Sequence, residues 1–168
     1  MTPLPGPLGG NELVAWRLDE ARFAAAWDSG EGAFRAGGRW NRRGTRAVYC
    51  TIDPATAILE VAVHAGLATL DTVAYVLTSI VITAPARVHV VDAASVPNPS
   101  WLRPCAVSWG QQAFGDALLA QHGVVALPSV VSTHSWILVC AASGAGGSYE
   151  LRSQERFALD TRLHPVGC

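Results

Sequence analysis

Between Gly30 and Asn41 the chain reads GEGAFRAGGRWN, and Tyr49 and Glu60 follow soon after. Arginine offers a planar fork of donors that suits phosphate and carboxylate groups. Glycine lets backbone N–H groups approach a ligand closely. An aromatic ring gives a flat surface for stacking. A loop that combines these types ahead of a single carboxylate is equipped to hold an anionic ligand and present its reactive end to that acid. Glu60 is the candidate acid, Arg39 and Arg17 are the candidate anion clamps, and Tyr49 is placed to stack on the ligand or bond it. Asn41 is a candidate for orienting ligand or loop. Ser129, in LPSVV, is a candidate hydrogen-bond donor; with no G-x-S-x-G elbow around it, it is not read as a hydrolase nucleophile. The bland alternatives are a solvated helix carboxylate for Glu60, weakly paired surface arginines and a core tyrosine with its hydroxyl satisfied. Arg35, Arg42, Arg43 and Arg46 read as a solvated basic loop.

The elements that must position these residues follow from pattern. Leu13 to Leu18 reads as a strand and Asp19 to Trp27 as a helix with Asp19 as its N-cap. Asp28 to Thr45 shows no clear period, and a loop of that length inside one domain is more often functional than idle. Ala47 to Thr51 is a short buried strand. Asp53-Pro54 starts a helix that runs to Ala65 and stops at Gly66. Ala55, Ile58, Leu59, Ala62 and Val63 form its expected apolar face, with Glu60 and His64 beside it. Thr72 to Ala84 and Val88 to Val91 read as strands, Trp109 to His122 as a helix closed by Gly123. Val124 to Val131, Trp136 to Ala141 and Arg156 to Leu163 complete the strands. Strands and helices interleave too irregularly for a doubly wound sheet. The expectation is a single α+β domain over residues 12–168, with a central mixed or antiparallel sheet, flanking helices and a flexible Pro- and Gly-rich leader at 1–11.

These assignments carry a family resemblance. Arg17 in AWRL, the block GEGAFRAGGRWNRRG, Tyr49 in VYC, Glu60 in ATAILEVAVH, Ser129 and the tail FALDTRL resemble the RES domain, named for its Arg, Glu and Ser. The resemblance implies an ADP-ribosyltransferase-like fold and a toxin of a bacterial toxin–antitoxin pair that consumes NAD, with an Xre-like antitoxin as partner. It implies NAD bound by Arg17, Arg39, Tyr49, Asn41 and Ser129, with Glu60 stabilising the ribosyl cation as nicotinamide leaves. Water as acceptor makes the enzyme a glycohydrolase, phosphate a phosphorylase, and a protein side chain an ADP-ribosyltransferase. Two departures stand out: no Asn-Pro pair follows Ser129, and Trp16 precedes Arg17 where tyrosine is common. The alternatives of other classes are a non-catalytic interaction domain and an RNA-directed toxin.

Composition narrows the classes further. The 168 residues are 50% apolar and carry a net charge of −1, so no overall field favours nucleic acid or an anionic membrane. All 12 basic residues are arginine, which leaves no lysine for a Schiff base or a P-loop. Cys50, Cys105, Cys140 and Cys168 form no C-x-x-C pair, and H-E-x-x-H is absent, so no metal is expected. Cys50 and Cys140 sit in apolar runs and read as buried thiols, with no pair suited to a redox switch. With no signal-peptide pattern and no membrane-length apolar run, the chain is expected in the cytoplasm.

Overall fold

Runs rich in Val, Ile and Leu build most of a seven-stranded sheet. The computed structural model describes residues 12–103, 105–142 and 147–163. Its strands are β1 (Leu13–Glu20), β2 (Ala47–Thr51), β3 (Tyr75–Ile82), β4 (His89–Val90), β5 (Val124–Pro128), β6 (Trp136–Ala141) and β7 (Tyr149–Phe157). They lie in the order β4-β5-β6-β2-β1-β3-β7. All neighbours are antiparallel except β4 and β5. Helices α1 (Glu31–Ala36), α2 (Pro54–Ala65), α3 (Leu67–Thr72) and α4 (Trp109–His122) flank the sheet. This is the α+β architecture with a mixed sheet that the pattern predicts.

The sheet is nearly divided in two. β1 pairs along its whole length with β3, and β2 along its whole length with β6, but β1 and β2 meet only at Trp16 and Thr51. One sheet face buries Ala15, Val48, Cys50, Ile80, Ala126, Leu138 and Cys140 in a common core. The other face carries two separate clusters. In one, Val125, Leu127, Ile137 and Val139 pack under Trp40, Trp101 and Leu119 of α4. In the other, Leu18, Tyr75 and Leu77 pack with Leu70 of α3 and with Ile58, Val61 and Ala62 of α2. Strand alternation puts Ala47, Tyr49 and Thr51 on this second face, between the clusters.

Several sequence expectations are corrected by packing. Asp19 does not cap a helix, because β1 continues to Glu20 in register with Tyr75 of β3. Ladder pairing overrides the helical propensity of the alanine-rich segment, which forms only a 3₁₀ turn at Ala21–Ala26. Asp28 to Thr45 is not wholly irregular, since α1 lies within it. Thr72 belongs to α3, so β3 starts later than expected, and β5 ends at Pro128. The last strand is β7, not Arg156 to Leu163; its mostly exposed residues, among them Glu150, Arg152, Glu155 and Arg156, hide any apolar alternation, as befits a charged edge strand. On α2 the predicted stripe is split: Ile58 and Ala62 pack inward, while Ala55, Leu59 and Val63 are exposed, Leu59 at 46% and Val63 at 60%, and Thr56 and Ala57 are buried. The strand register also places Cys50 diagonal to Cys140 on one face. A hydrogen bond that the Cys140 thiol donates to Cys50, and its burial, raise the Cys140 thiol well above its ordinary range, so it stays neutral. The predicted leader at 1–11 lies outside the described residues. No helix among the described residues is long and apolar enough to cross a membrane.

The rings of His89 on β4 and His122 at the end of α4 stack with centroids 4.0 Å apart and planes 8° from parallel. Burial, and then the neighbouring His122, hold His89 below its ordinary imidazole value. The unfolded chain therefore takes up this proton first as pH falls. The stabilisation is fully present above about pH 6.5, the unfolded value, and is lost as pH drops through the lower folded one. Thermal unfolding between pH 7 and pH 5 is expected to show a falling midpoint, with a shallower slope in His89→Asn. Equal slopes in the two proteins would remove the pair as the cause.

Candidate active site

The loop after α1 is held by side chains that the sequence suggested as ligand contacts. Asn41 is fully buried. Its amide donates to the carbonyls of Ala33 at 3.0 Å, Arg42 at 2.9 Å and Thr45 at 3.2 Å. Its Oδ1 accepts the Tyr49 hydroxyl at 2.7 Å, and that hydroxyl oxygen accepts the Trp40 N–H at 3.1 Å. A Cβ on Gly38 would stand 2.6 Å from both Asn41 Oδ1 and the Tyr49 oxygen, so only glycine fits over this knot. Burial pushes the ionisation of Tyr49 far above its ordinary value, outweighing the Trp40 bond, and the phenol stays neutral. Tyr49 and Asn41 thus come together, as loop anchors with their polar atoms engaged by the protein.

α4 braces the same loop from outside. Gln112 Nε2 donates to the Gly38 carbonyl at 2.7 Å, and Arg42 Nε donates to Asp116 at 2.6 Å. The loop is also tied to the segment before α4, where Arg39 NH1 donates to the Trp101 carbonyl at 2.9 Å. The rings of Trp40 and Trp101 pack at 5.9 Å.

The arginines separate clearly. Among the described residues Arg17, Arg39 and Arg42 are the half-buried ones. Arg17 is paired through two nitrogens with Asp19, and Arg42 is paired with Asp116. Arg39 makes no ion pair among the described residues, so its charge is left for something else. Arg17 also donates to the backbone carbonyl of Tyr49 at 3.4 Å, across the place where β1 and β2 part. Burial opposes its charge, but the hydrogen bond and charge of Asp19 outweigh that and raise its pKa. Its cation already has a carboxylate partner, which sets it apart from Arg39.

Glu60 and Ser129 do meet. The Ser129 hydroxyl donates to Glu60 Oε1 at 2.8 Å. Its oxygen accepts the N–H groups of Val131 at 3.2 Å and Ser132 at 3.0 Å, which fixes where the hydroxyl proton points. Ser129 is fully buried and Glu60 is half-buried. Among the described residues Glu60 Oε2 has no hydrogen-bond partner, so one carboxylate oxygen is held and the other is open. His64, one turn along, is exposed, as is His134.

The sequence missed Asp53 beyond its cap, together with Thr56, Ser135 and Asp116. Asp53 Oδ2 accepts hydroxyls from both Thr56 and Ser135 at 2.7 Å. The signal for Asp53 and Thr56 was present in D-P-x-T, where the cap was read; nothing local marks Ser135 or Asp116. An open hollow between Thr45, Arg46, Ala113 and Ala117 is lined by none of the expected site residues.

A family model described as the RES domain matches residues 14–160, most of the chain. The chain belongs to the RES domain family. Within it, a protein named Toxin Res from Photorhabdus laumondii is 39% identical over 54 residues, covering 32% of this chain and 35% of that relative. The chain thus aligns with only about a third of that relative's length. The fold is similar to a chain in the crystal structure of the M. tuberculosis MbcT–MbcA toxin–antitoxin complex, with a TM-score of 0.66 and 25% identity over 88% of this chain and 85% of that one. The RES match spans Arg17, Arg39, Tyr49, Glu60 and Ser129 alike.

Proposed function

We propose that this RES domain is the toxin of a toxin–antitoxin pair and consumes NAD by cleaving the bond between nicotinamide and ribose. The observation that carries the reading is a half-buried guanidinium with no ion pair among the described residues, together with a half-buried carboxylate held at one oxygen. Arg39, half-buried and without a carboxylate among the described residues, directly precedes Trp40 of the cluster under α4; Glu60, half-buried and fixed by Ser129, stands on α2 beside the other cluster. An unpaired guanidinium suits a pyrophosphate. A carboxylate with one free oxygen suits a ribose hydroxyl and the positive charge that grows on the ribose as nicotinamide departs. Tyr49 and Asn41 serve the same reaction by holding the loop that carries Arg39, and Arg17 by shaping the gap between β1 and β2. Toxicity and a restraining partner are supported by the names of the relatives, Toxin Res and the MbcT–MbcA complex. The partner is an Xre-like antitoxin that covers the mouth near Arg39.

The experiment is product analysis by mass spectrometry of NAD incubated with the purified protein, with and without phosphate and with and without cell lysate. Free nicotinamide is expected in every arm. ADP-ribose marks water as acceptor, its 1″-phosphate marks phosphate, and a mass gain on a lysate protein marks transfer. NAD left intact in all arms overturns the reading.

Arg39→Ala is expected to weaken NAD binding by roughly 1.5–3 kcal/mol, the range for a hydrogen bond to a charged group. Calorimetry in a Glu60→Gln background, where turnover does not interfere, checks it. Unchanged affinity would place the pyrophosphate away from Arg39.

A further inference from the structure

Glu60 sits on a helix that is fastened twice to one loop. Asp53, the N-cap of α2, takes the Thr56 N–H on Oδ1 at 2.7 Å. That bond alone caps the helix. Its Oδ2 carries an additional load, accepting the hydroxyls of Thr56 and of Ser135, each at 2.7 Å. Ser135 is buried and lies just before β6, far away in sequence. The Thr56 and Ser135 hydroxyl oxygens are themselves 3.0 Å apart. Burial pushes the Asp53 carboxyl up, but hydrogen bonds from Ser135 and then Thr56 more than offset it and hold the group below its ordinary range, a full-time acceptor.

The same loop continues to the acid. The Ser135 carbonyl accepts the Ser129 N–H at 3.0 Å, and the Ser135 N–H donates to the Ser132 carbonyl at 2.8 Å. Ser132 and Val131 in turn donate their N–H groups to the Ser129 oxygen, and Ser129 donates to Glu60. Asp53 and Glu60 are seven residues apart, close to two helical turns, so both attachments leave α2 on one side. The result is a closed ring: α2 from Asp53 to Glu60, Ser129, the turn to Ser135, and back to Asp53. A carboxylate held at a single oxygen by one serine keeps its direction only while that serine keeps its own.

We propose that Asp53 and Ser135 are positioning residues that aim the Glu60 carboxylate through the Ser129–Ser135 turn. This rests on the NAD-cleaving reading above for its kinetic readout alone. Neither residue need touch the substrate; both act through Ser129.

Three variants test it. Ser135→Ala removes the hydroxyl yet leaves the Asp53 cap on Thr56 in place. Asp53→Asn keeps a good cap but turns an acceptor toward Ser135 into an amide. Ser135→Thr keeps the hydroxyl. Ser135→Ala and Asp53→Asn are each expected to lower kcat for nicotinamide release about 10- to 100-fold, the scale of a small misplacement of a reacting group. The KM for NAD should stay within about twofold, since the Arg39 loop is untouched. Ser135→Thr should restore most of kcat, and Ser135→Ala added to Glu60→Gln should lower turnover no further. A second readout needs no activity. In ¹³C- and ¹⁵N-labelled protein, Ser135→Ala should move the carboxyl resonance of Glu60 and the amide resonances of Val131 and Ser132. If the wild type leaves NAD intact, the functional reading falls, and these resonances alone decide the positioning role. Unmoved resonances overturn the proposal. So do a wild-type kcat in Ser135→Ala, an equal loss in the Glu60→Gln background, or unfolding of both Ser135→Ala and Asp53→Asn.

Discussion

Glu60→Gln is expected to lower nicotinamide release from NAD by about 10²–10³-fold, the scale seen when a group aimed at developing charge is removed, while the protein stays folded. The geometry separates the two effects. Ser129 donates to Glu60, so an amide oxygen in the same place accepts that bond equally well. Glutamine therefore keeps the contact to the loop, removes the negative charge and puts an NH2 donor where the free oxygen stood. Glu60 is half-buried and outside the packed clusters, so its replacement opens no cavity. In cells, expression of the wild-type chain alone should arrest growth, and Glu60→Gln should relieve the arrest at equal protein level. Co-expression of the proposed antitoxin should relieve it in the wild type. The comparison is made with thermal midpoints alongside growth and nicotinamide release. Full toxicity in folded Glu60→Gln would remove this carboxylate from the mechanism, whatever the rest of the site does.

The residue types at this site are legible in the sequence, and their partnerships are not. Glu60 and Ser129 stand out in the chain, and they do bond, yet the turn that aims Ser129 depends on Ser135, and nothing around SWILVC marks that serine. Tyr49 has the type and spacing of a ligand contact. Its hydroxyl is instead engaged by Asn41 and Trp40, because the loop folds back over β2. Arg17 and Arg39 look alike in sequence and differ only in that β1 brings Asp19 to the same side as Arg17, two residues along a strand. The helix misread over Asp19 to Trp27 hid that pairing. For the fold, central elements with strong period are clear: β2, β6, α2 and α4 lie where the pattern puts them. The failures fall at element ends, as where β1 runs on to Glu20, and at the sheet edge. β7 is charged and exposed, so hydrophobic alternation says little about it. The exposure of Leu59 and Val63 on α2 escapes a count of apolar residues, because the same helix also turns Thr56 and Glu60 toward hydrogen bonds with a distant loop.

Two glycines in one helix give the other large expected effect. Gly110 and Gly115 both lie in α4, where intrinsic propensity favours alanine by about 1 kcal/mol. Their surroundings differ. A Cβ on Gly110 would meet nothing nearer than the Ser108 hydroxyl oxygen at 3.9 Å. A Cβ on Gly115 would stand 2.1 Å from the Trp40 carbonyl oxygen and 2.8 Å from its carbon. Those are backbone atoms of the Arg39 loop, and they cannot swing aside as a side chain does. The loop is also pinned on both sides of the contact, by Gln112 to Gly38 and by Asp116 to Arg42. Gly115→Ala must therefore lift the whole segment from Gly38 to Arg42 off α4, loosening Trp40 from its cluster. Overpacking of this kind costs about 3 kcal/mol, against the gain of about 1 kcal/mol from propensity. A net loss of about 2 kcal/mol is expected to lower the thermal midpoint by roughly 4–8 °C in a chain of this size. Gly110→Ala, the control in the same helix, should match or exceed the wild type. The site feels the difference as well, because the displaced segment carries Arg39. NAD affinity in a Glu60→Gln background should fall for Gly115→Ala, although Gly115 touches no ligand, and should hold for Gly110→Ala. Equal midpoints for the two alanine variants would mean that the loop gives way freely. Its close seat on α4 would then have no part in presenting Arg39.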